Sequence, residues 1–271
     1  MNVVFSVFLF LIGTAMGSFV CCQAQRVRLK QKKKKQLGKR SVCLSCGYQL
    51  KWYDNVPIVS WIVLGGKCRK CHKKIGLTEF LSELLMGISF LLIGLLFGDV
   101  FALGFVDWIY LVFMMIFVTI LGFLAIYDGK WGELPQAGLT ISVVCGIILL
   151  ILKQWSLFLN DNSCQFLGEG LLSALGGVGL LAGIYFLLWF FSKGKLVGDG
   201  DWLLGLAIAL CLGNWWLSLV VLFLSNFMAA VVMIPLPRRK KSKKIYFGPW
   251  MIFAFVLVFV FQDFLLDFLI F

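Results

Sequence analysis

Histidine is almost absent from this sequence: His72 is the one histidine in 271 residues, and it lies directly beside a pair of cysteines. Catalysis by a Ser-His or Cys-His pair needs a histidine that is free to act as a base, so hydrolases of those kinds are excluded. Positive charge is absent from residues 1–20. A secretory signal carries positive charge at its front, so this stretch is predicted to be a retained first transmembrane helix with its N-terminus outside.

Apolar residues dominate the chain. Hydrophobic side chains make up 61% of the sequence, and the mean hydropathy is +0.95. Apolar runs of about 18 residues or more recur, which predicts an all-α polytopic membrane protein in a lipid bilayer. The net charge of +12 is clustered between these runs. Because such clusters encode membrane topology, no nucleic acid partner is expected.

About eight transmembrane helices are predicted, and charge decides the ambiguous segment 202–236, which is short for two crossings. A single crossing there would put the basic residues of 238–244 on the wrong face, so two short helices turning near Gly213-Asn214 are predicted. All 25 basic residues except Lys153 then lie on the cytoplasmic side. The predicted spans lie near residues 1–20, 80–98, 101–127, 137–152, 169–191, 202–213, 216–236 and 248–271.

Four cysteines in the polar region after the first span have the spacing of a metal site. They form two CxxC pairs, Cys43 with Cys46 and Cys68 with Cys71. Four thiolates complete the tetrahedral shell of Zn²⁺, so a structural Cys₄ zinc is predicted in a small cytoplasmic zinc-ribbon-like insertion between helices 1 and 2. Disulfides are disfavoured in the reducing cytoplasm. Cys68 to His72 also reads CxxCH, the haem c pattern, but that reading leaves Cys43 and Cys46 unexplained.

Two segments of this polar region are predicted to lie at the membrane surface. The basic run Lys30 to Arg40 is typical of a topology signal that also binds anionic lipid. The aromatic segment Trp52 to Pro57 is typical of a loop at headgroup level.

The predicted topology divides the 13 acidic residues by the side of the membrane on which they lie. Some fall at the outer ends of spans or in the cysteine region: Asp99, Asp107, Asp161, Glu169, Asp263, Asp267, Asp54, Glu79 and Glu83. On the inner side are Asp128, Glu133, Asp199 and Asp201. Asp128 closes the third span and Asp201 opens the sixth, so two distant carboxylates lie at one depth.

A pair of carboxylates at that depth predicts acid–base chemistry. If Asp128 and Asp201 meet, like-charge repulsion leaves one protonated and the other ionised, and such a pair can activate water for peptide hydrolysis without a metal. Gly198 and Gly200 allow the loop before Asp201 to approach a partner closely. A plain polar turn between two helices is the alternative interpretation of this loop.

Recognisable motifs run along nearly the whole chain. In the N-terminal half these are Gly17-Ser18-Phe19, Arg26, the two CxxC pairs, Asn55-Val56-Pro57, Ser60, Gly66 to Arg69, Ile75 and Glu83. In the C-terminal half they are Asp128, Leu134-Pro135, Gly198 to Asp201 and Phe247-Gly248-Pro249. Together they resemble the motifs of the bacterial prepilin (type IV leader) peptidase / N-methyltransferase family. The sequence departs from the family pattern at Cys21, Glu79-Phe80, Gln136 and Trp202 to Leu204.

The resemblance implies a GxGD-type intramembrane aspartyl protease of the prokaryotic inner membrane. Such enzymes remove the short basic leader of type IV prepilin or pseudopilin precursors at the cytoplasmic face. By this match Asp128 and Asp201 are the catalytic pair, and Asp199 is the variable residue of the motif. The bifunctional members also methylate the new N-terminus with S-adenosylmethionine.

The implied organisation has three parts: the first transmembrane helix at 1–20, a cytoplasmic Cys₄ and methyltransferase region at 21–79, and a seven-helix peptidase domain at 80–271. The alternative is a non-enzymatic zinc-ribbon membrane scaffold or a proton-coupled transporter. A transporter should show paired repeats with acids near midspan, and the sequence shows neither.

Overall fold

The computed structural model describes residues 2–31, 41–43, 45–97, 104–161, 164–194, 197–233 and 246–270. Within these ranges the chain is helical and has no β-strand, only two isolated antiparallel bridges, Val42 to Gln49 and Lys67 to Lys74. The predicted all-α class is confirmed. The chain divides into two compact units, residues 1–100 and residues 101–271.

The N-terminal unit is built on two long helices, α1 (Asn2–Gln31) and α3 (Leu77–Leu96). They pack closely through glycine: a Cβ at Gly17 would lie 2.5 Å from the carbonyl oxygen of Ser82. Membrane helices associate through small residues because lipid supplies no hydrophobic drive between them. The polar segment between the two helices contains a 3₁₀ turn, Trp52–Asn55, and the short helix α2 (Val59–Val63).

Helix α1 continues beyond its predicted end at residue 20, as far as Gln31. Its last turn carries Arg28 and Lys30. Lysine and arginine are good helix formers, and their charges are favourable at a helix C-terminus. The rest of the basic run, residues 32–40, lies outside the described residues, as do the basic segment 238–244 and Asp99.

The C-terminal unit packs around α4, whose buried side chains recur at helical spacing on one face. Met114, Phe117, Leu121 and Leu124 are buried, and the ring of Phe117 meets that of Phe255 edge-on at 5.7 Å. The helices are α4 (Phe105–Trp131), α5 (Gln136–Asp161), α6 (Cys164–Val178), a π-helical turn (Gly179–Gly183), α7 (Ile184–Ser192), α8 (Asp201–Leu212), α9 (Trp215–Met233), α10 (Gly248–Val260) and α11 (Gln262–Ile270).

The apolar segments of the two units together match the predicted spans. Six described stretches are long and apolar enough to cross a membrane: Val3–Lys30, Leu77–Leu96, Phe105–Trp131, Gln136–Leu159, Gly168–Ser192 and Trp215–Val232. The bent pair α10 and α11 gives a seventh if it is one span, and α8 is a shorter apolar helix. At 1.5 Å per residue α8 is about 18 Å long, well short of a bilayer core of about 30 Å.

The last span differs from its prediction. A single helix was predicted over 248–271, but the chain bends by 73° between α10 and α11. The break falls at Phe261, just before Gln262 and Asp263. Polar side chains are costly in hydrocarbon, so a change of direction at this point is physically reasonable.

The predicted turn at 213–214 is confirmed, but only α8 before it is short, since α9 after it is long enough to cross a membrane. Gly213 ends α8 with a positive φ of 60°, and the Asn214 side-chain oxygen accepts a 2.8 Å hydrogen bond from the Trp216 N–H at the start of α9. The C-terminus of α8 is also capped by Lys153 on α5, whose Nζ donates a 2.8 Å hydrogen bond to the Leu212 carbonyl oxygen. A cation at this helix end stabilises both the free carbonyl and the helix dipole.

We expect Lys153→Met to destabilise the protein by about 1–3 kcal/mol, because the Leu212 carbonyl loses its partner away from water. Thermal unfolding in detergent would show this as a lower midpoint. Lys153→Arg is the matched control, since it keeps a cation that can donate. Equal midpoints for Lys153→Met and the unmodified protein would contradict a capping role.

Candidate active site and metal centre

Asp128 lies in the last turn of α4 and is 6% exposed. Its Oδ2 accepts a 3.0 Å hydrogen bond from the backbone N–H of Gly248, the first residue of α10. A helix N-terminus favours a carboxylate, because its N–H groups have no partner within the helix. The approach is close: a Cβ at Gly248 would lie 2.8 Å from Asp128 Oδ2. In the part of the chain that is described, Asp128 Oδ1 accepts no hydrogen bond.

Asp201 is the first residue of α8 and is 8% exposed. Its Oδ2 accepts a 2.9 Å hydrogen bond from the Gly198 N–H, while its own N–H donates to the Gly198 carbonyl oxygen at 3.3 Å. The loop is therefore closed on itself in a tight turn. Gly200 is buried against Leu134, where a Cβ would lie 2.8 Å from the Leu134 Cβ. No larger residue fits at Gly200 without displacing that side chain.

The structure places the two predicted acids within range of an electrostatic interaction. Asp201 interacts in this way with Asp128 and with Asp199. Asp199 is exposed, in contrast to the two buried carboxylates, and Glu133 is exposed on the connection between α4 and α5. Each buried acid has one oxygen held by a backbone N–H and, among the described residues, one oxygen without a donor. Two such free oxygens can hold a water molecule between an acid and a base.

The four predicted metal ligands also come together, in the N-terminal unit. The sulfur atoms of Cys43, Cys46, Cys68 and Cys71 all lie within 4.8 Å of one another, and Cys43 Sγ is 3.9 Å from Cys71 Sγ. Tetrahedral Zn–S bonds of about 2.3 Å place ligand sulfurs about 3.8 Å apart. The cluster therefore has the donors and the spacing to bind a metal ion.

Each knuckle of the cluster is stabilised by its own backbone. Burial acts against ionisation of Cys43, but hydrogen bonds from the N–H groups of Cys46 and Ser45 lower its pKa to about 6. The Lys73 N–H acts in the same direction on Cys71, yet burial and hydrogen bonds with the other sulfurs raise the pKa of that thiol to about 11. The thiolate of Cys43 therefore forms more readily than that of Cys71.

An ion pair joins the second knuckle to the 3₁₀ turn. Arg69 Nε donates to Asp54 Oδ1 at 2.7 Å, and the Lys51 N–H donates to Asp54 Oδ2 at 3.1 Å. Burial alone would raise the pKa of Asp54, but these hydrogen bonds outweigh it and hold the pKa below its usual value. The carboxylate therefore stays ionised and keeps both elements in place.

A cavity of about 710 Å³ lies between α1, α3 and the cysteine region of the same unit. Its wall includes Glu79 and Glu83. Glu83 is 9% exposed and its Oε2 accepts a 2.7 Å hydrogen bond from the Ile58 N–H. Gln25 on α1 donates to Glu79 Oε1 at 3.1 Å. The volume is that of a site for a small molecule.

The wall of this cavity holds a strained residue. Ile58 has φ 61° and ψ −55°, an uncommon conformation for a β-branched side chain. Its N–H is held by Glu83, and the following Val59 N–H donates to the Pro57 carbonyl oxygen at 2.5 Å. Strain of this kind persists only where surrounding contacts impose it, and it is frequent at functional sites.

Comparison with known proteins gives a consistent match to both units. Residues 11–97 match the bacterial peptidase A24 N-terminal domain. The chain is 30% identical to the prepilin leader peptidase/N-methyltransferase of Dickeya chrysanthemi over 213 residues, which cover 78% of this chain and 69% of that protein. The chain belongs to the prepilin leader peptidase/N-methyltransferase family.

Two further members of this family show how the similarity is distributed. The protein of the same name from Neisseria gonorrhoeae is 30% identical over 224 residues, covering 79% of this chain and 70% of that protein. The Myxococcus xanthus protein is 36% identical over 146 residues, but the match covers 54% of this chain and only 40% of that protein. No solved structure matches this chain.

Two polar residues near Asp201, Tyr185 and Asn226, were not predicted from the sequence. Tyr185 on α7 is 3% exposed, interacts electrostatically with Asp201, and packs its ring on Phe247 at 5.3 Å. Asn226 on α9 donates from Nδ2 to the Tyr185 hydroxyl at 2.9 Å. Both residues stand inside long apolar runs. A polar residue within an apolar run was the signal that could have identified them.

Proposed function

We propose that this chain is an aspartic endopeptidase that removes the short basic leader of type IV prepilin or pseudopilin precursors. The observation that carries the proposal is the pair of buried, electrostatically interacting carboxylates of Asp128 and Asp201 at the ends of two helices. The relatives named prepilin leader peptidase/N-methyltransferase support the same reaction. In such a precursor a short basic leader is followed by an apolar helix, so the scissile bond lies at the inner edge of the membrane. Asp128 and Asp201 are predicted to lie at the same depth.

The proposed mechanism uses the free oxygen of each acid. The ionised carboxylate takes a proton from water as the water oxygen attacks the scissile carbonyl carbon, and the protonated carboxyl group gives its proton to the carbonyl oxygen. Collapse of the gem-diol intermediate breaks the C–N bond: the leaving amine takes the proton that the base received, and a hydroxyl of the gem-diol returns a proton to the other carboxylate, which restores the starting pair. The Gly198 and Gly248 N–H groups would hold the two acids in position throughout.

We propose the cavity of the N-terminal unit as the site of N-methylation. S-adenosylmethionine, when bound, supplies a methyl group from a cationic sulfonium. The Glu79 and Glu83 carboxylates fit such a charge, and they could equally hold the new α-amine and accept its proton. We also propose that the Cys₄ cluster holds one structural Zn²⁺, which would fix the wall of this cavity through Cys68 and Arg69.

Co-expression with candidate precursors, followed by mass measurement of their N-termini, tests both activities. Loss of the leader supports the peptidase, and a further gain of one methyl group supports the transferase. Uncut precursors with every candidate, in cells where a known family member cuts them, would contradict the peptidase. Cleaved but unmodified products would leave this chain a peptidase only.

We propose that the active site faces the cytoplasm, because the basic residues cluster on the side of Asp128 and Asp201 in the predicted topology. Reporters fused after Lys130 and after Lys244 should both be cytoplasmic, and one fused after Lys153 external. An external signal after Lys244 would reverse the assignment of the last spans.

Gly248→Ala should slow leader cleavage by about 10- to 100-fold, since a Cβ 2.8 Å from Asp128 Oδ2 forces the acid out of position. Gly129→Ala is the matched control: it lies next to Asp128, but its Cβ would make an ordinary 3.7 Å contact with Pro249. Cleavage rates of one precursor by both variants decide the question. Equal rates would show that the Gly248 contact is unimportant.

A further inference from the structure

A polar cluster lies inside the membrane part of the C-terminal unit, formed by Tyr185 on α7 and by Ser225 and Asn226 on α9. Tyr185 and Ser225 are buried, whereas Asn226 is exposed. Polar side chains between membrane helices are often only structural hydrogen-bonding partners. An exposed asparagine amide amid apolar neighbours needs a further reason, because hydrocarbon offers it no partner.

Hydrogen bonds fix the orientation of the Asn226 amide. Its Nδ2 donates to the Tyr185 hydroxyl at 2.9 Å and to the Leu222 carbonyl oxygen at 2.8 Å. Because a backbone carbonyl can only accept, the nitrogen must be on that side, and Oδ1 points elsewhere. Among the described residues Oδ1 receives no hydrogen bond. Asn226 therefore presents a free acceptor to the space beside α9.

The Tyr185 hydroxyl proton is only weakly engaged. Its nearest acceptor is Ser225 Oγ at 3.5 Å, at the long limit of a hydrogen bond. Ser225 itself donates to the Leu222 carbonyl oxygen at 3.1 Å, so its position is set by its own helix. The cluster thus combines one free acceptor with one donor that can turn to a better partner.

Tyr185 links this cluster to the candidate catalytic acids. Asp201 is the first residue of α8, and Asn226 lies past the middle of α9. Each of these residues lies about 16 Å along its helix from the turn at 213–214 that joins α8 to α9. Tyr185 interacts electrostatically with Asp201 and contacts Phe247, whose neighbour Gly248 binds Asp128.

A donor beside an acceptor is the complement of a peptide backbone. A helical substrate must unwind where it is cut, and this exposes N–H and C=O groups that need partners inside a membrane. We propose that Asn226 Oδ1 accepts a backbone N–H of the substrate next to the scissile bond, and that the Tyr185 hydroxyl donates to a carbonyl oxygen of the same extended segment. This assignment rests on the proposed peptidase function and makes both groups substrate-positioning residues.

Steady-state cleavage of a synthetic precursor peptide in detergent tests the assignment. Asn226→Leu and Tyr185→Phe remove the polar groups and keep most of the side-chain volume. Each should raise KM, or lower kcat/KM, about three- to tenfold, as expected for one lost hydrogen bond. Tyr110→Phe is the control for loss of a hydroxyl, since Tyr110 lies near the opposite end of α4 from Asp128, about 27 Å away. Thermal unfolding of each variant identifies one that fails to fold.

A backbone ester scan separates substrate binding from a structural role. Replacing one substrate N–H with oxygen near the scissile bond should lower kcat/KM of the unmodified protein at one position by about three- to tenfold. The Asn226→Leu variant should cleave that ester substrate and the corresponding amide substrate with the same kcat/KM. Unchanged kinetics in both variants, or equal ester effects in Asn226→Leu and the unmodified protein, would overturn the proposal. If Asp128→Asn cleaves normally, the active site itself is wrong and this assignment falls with it.

Discussion

Asp128→Asn and Asp201→Asn should each abolish leader cleavage, while membrane insertion and the measured zinc content stay those of the unmodified protein. Asparagine keeps the size of the side chain and can accept the Gly248 or Gly198 N–H bond. It can serve neither as the ionised base nor as the proton-donating acid. Loss of general acid–base assistance lowers a rate by about 10²–10⁴-fold, so cleavage of one precursor should fall below detection in both variants.

Asp199→Asn is the matched control for this pair. Asp199 is exposed and interacts with Asp201 only through space, so its loss should leave most activity and change mainly the pH profile. Rates for the three variants, measured on the same precursor over a range of pH, distinguish the roles. Full activity in Asp128→Asn, or complete loss only in Asp199→Asn, would mean that the pair has been assigned to the wrong residues.

Purified protein should carry about one zinc per chain, and Cys43→Ser or Cys68→Ser should remove it. Three thiolates cannot complete the tetrahedral shell, and structural zinc contributes about 10–16 kcal/mol of apparent binding free energy in small zinc domains. Elemental analysis of detergent-purified protein measures the loss directly. Methylation should fail together with zinc binding, because Cys43 and Cys68 line the cavity proposed for it.

Cys145→Ser is the control for the zinc prediction. Cys145 is a buried thiol of α5, and it donates to the Phe113 carbonyl oxygen at 3.6 Å within the C-terminal unit. Its replacement should leave the zinc content unchanged. Unmodified protein that is free of metal and fully active, or that carries covalently bound haem, would disprove the zinc assignment.

Spacing and charge predicted most of this architecture because they are local properties of the sequence. The CxxC pairs can be recognised from spacing alone. The turn at Gly213-Asn214 followed from charge, because only two crossings in 202–236 keep the basic segments on one side of the membrane. The bend before Gln262 was missed because its cause is two polar residues within an otherwise apolar run. The hydrogen bond from the Gly248 N–H to Asp128 joins residues 120 positions apart. The motifs singled out both residues, but the sequence could not show that they touch.

Tyr185 and Asn226 were missed for a different reason. Each is a single polar residue in a run whose hydropathy is set by its neighbours, so a window average hides it. Their proposed role depends on the 2.9 Å hydrogen bond that joins them across two helices, and on the interaction of Tyr185 with Asp201. That meeting depends on the register of α7 against α9, which is a property of the packed bundle.

The tight glycine contact between α1 and α3 has a consequence for the chain that connects them. Residues 32–76 leave the end of one helix and return at the start of the other, so the packed pair acts as a cross-link at the base of a long loop. Closing a free loop of that length costs about 3 kcal/mol of chain entropy plus a constant. The helix pair supplies this closure before any metal binds. Removal of the metal should therefore disorder the cysteine knuckles alone and leave the helix content measured by circular dichroism nearly unchanged.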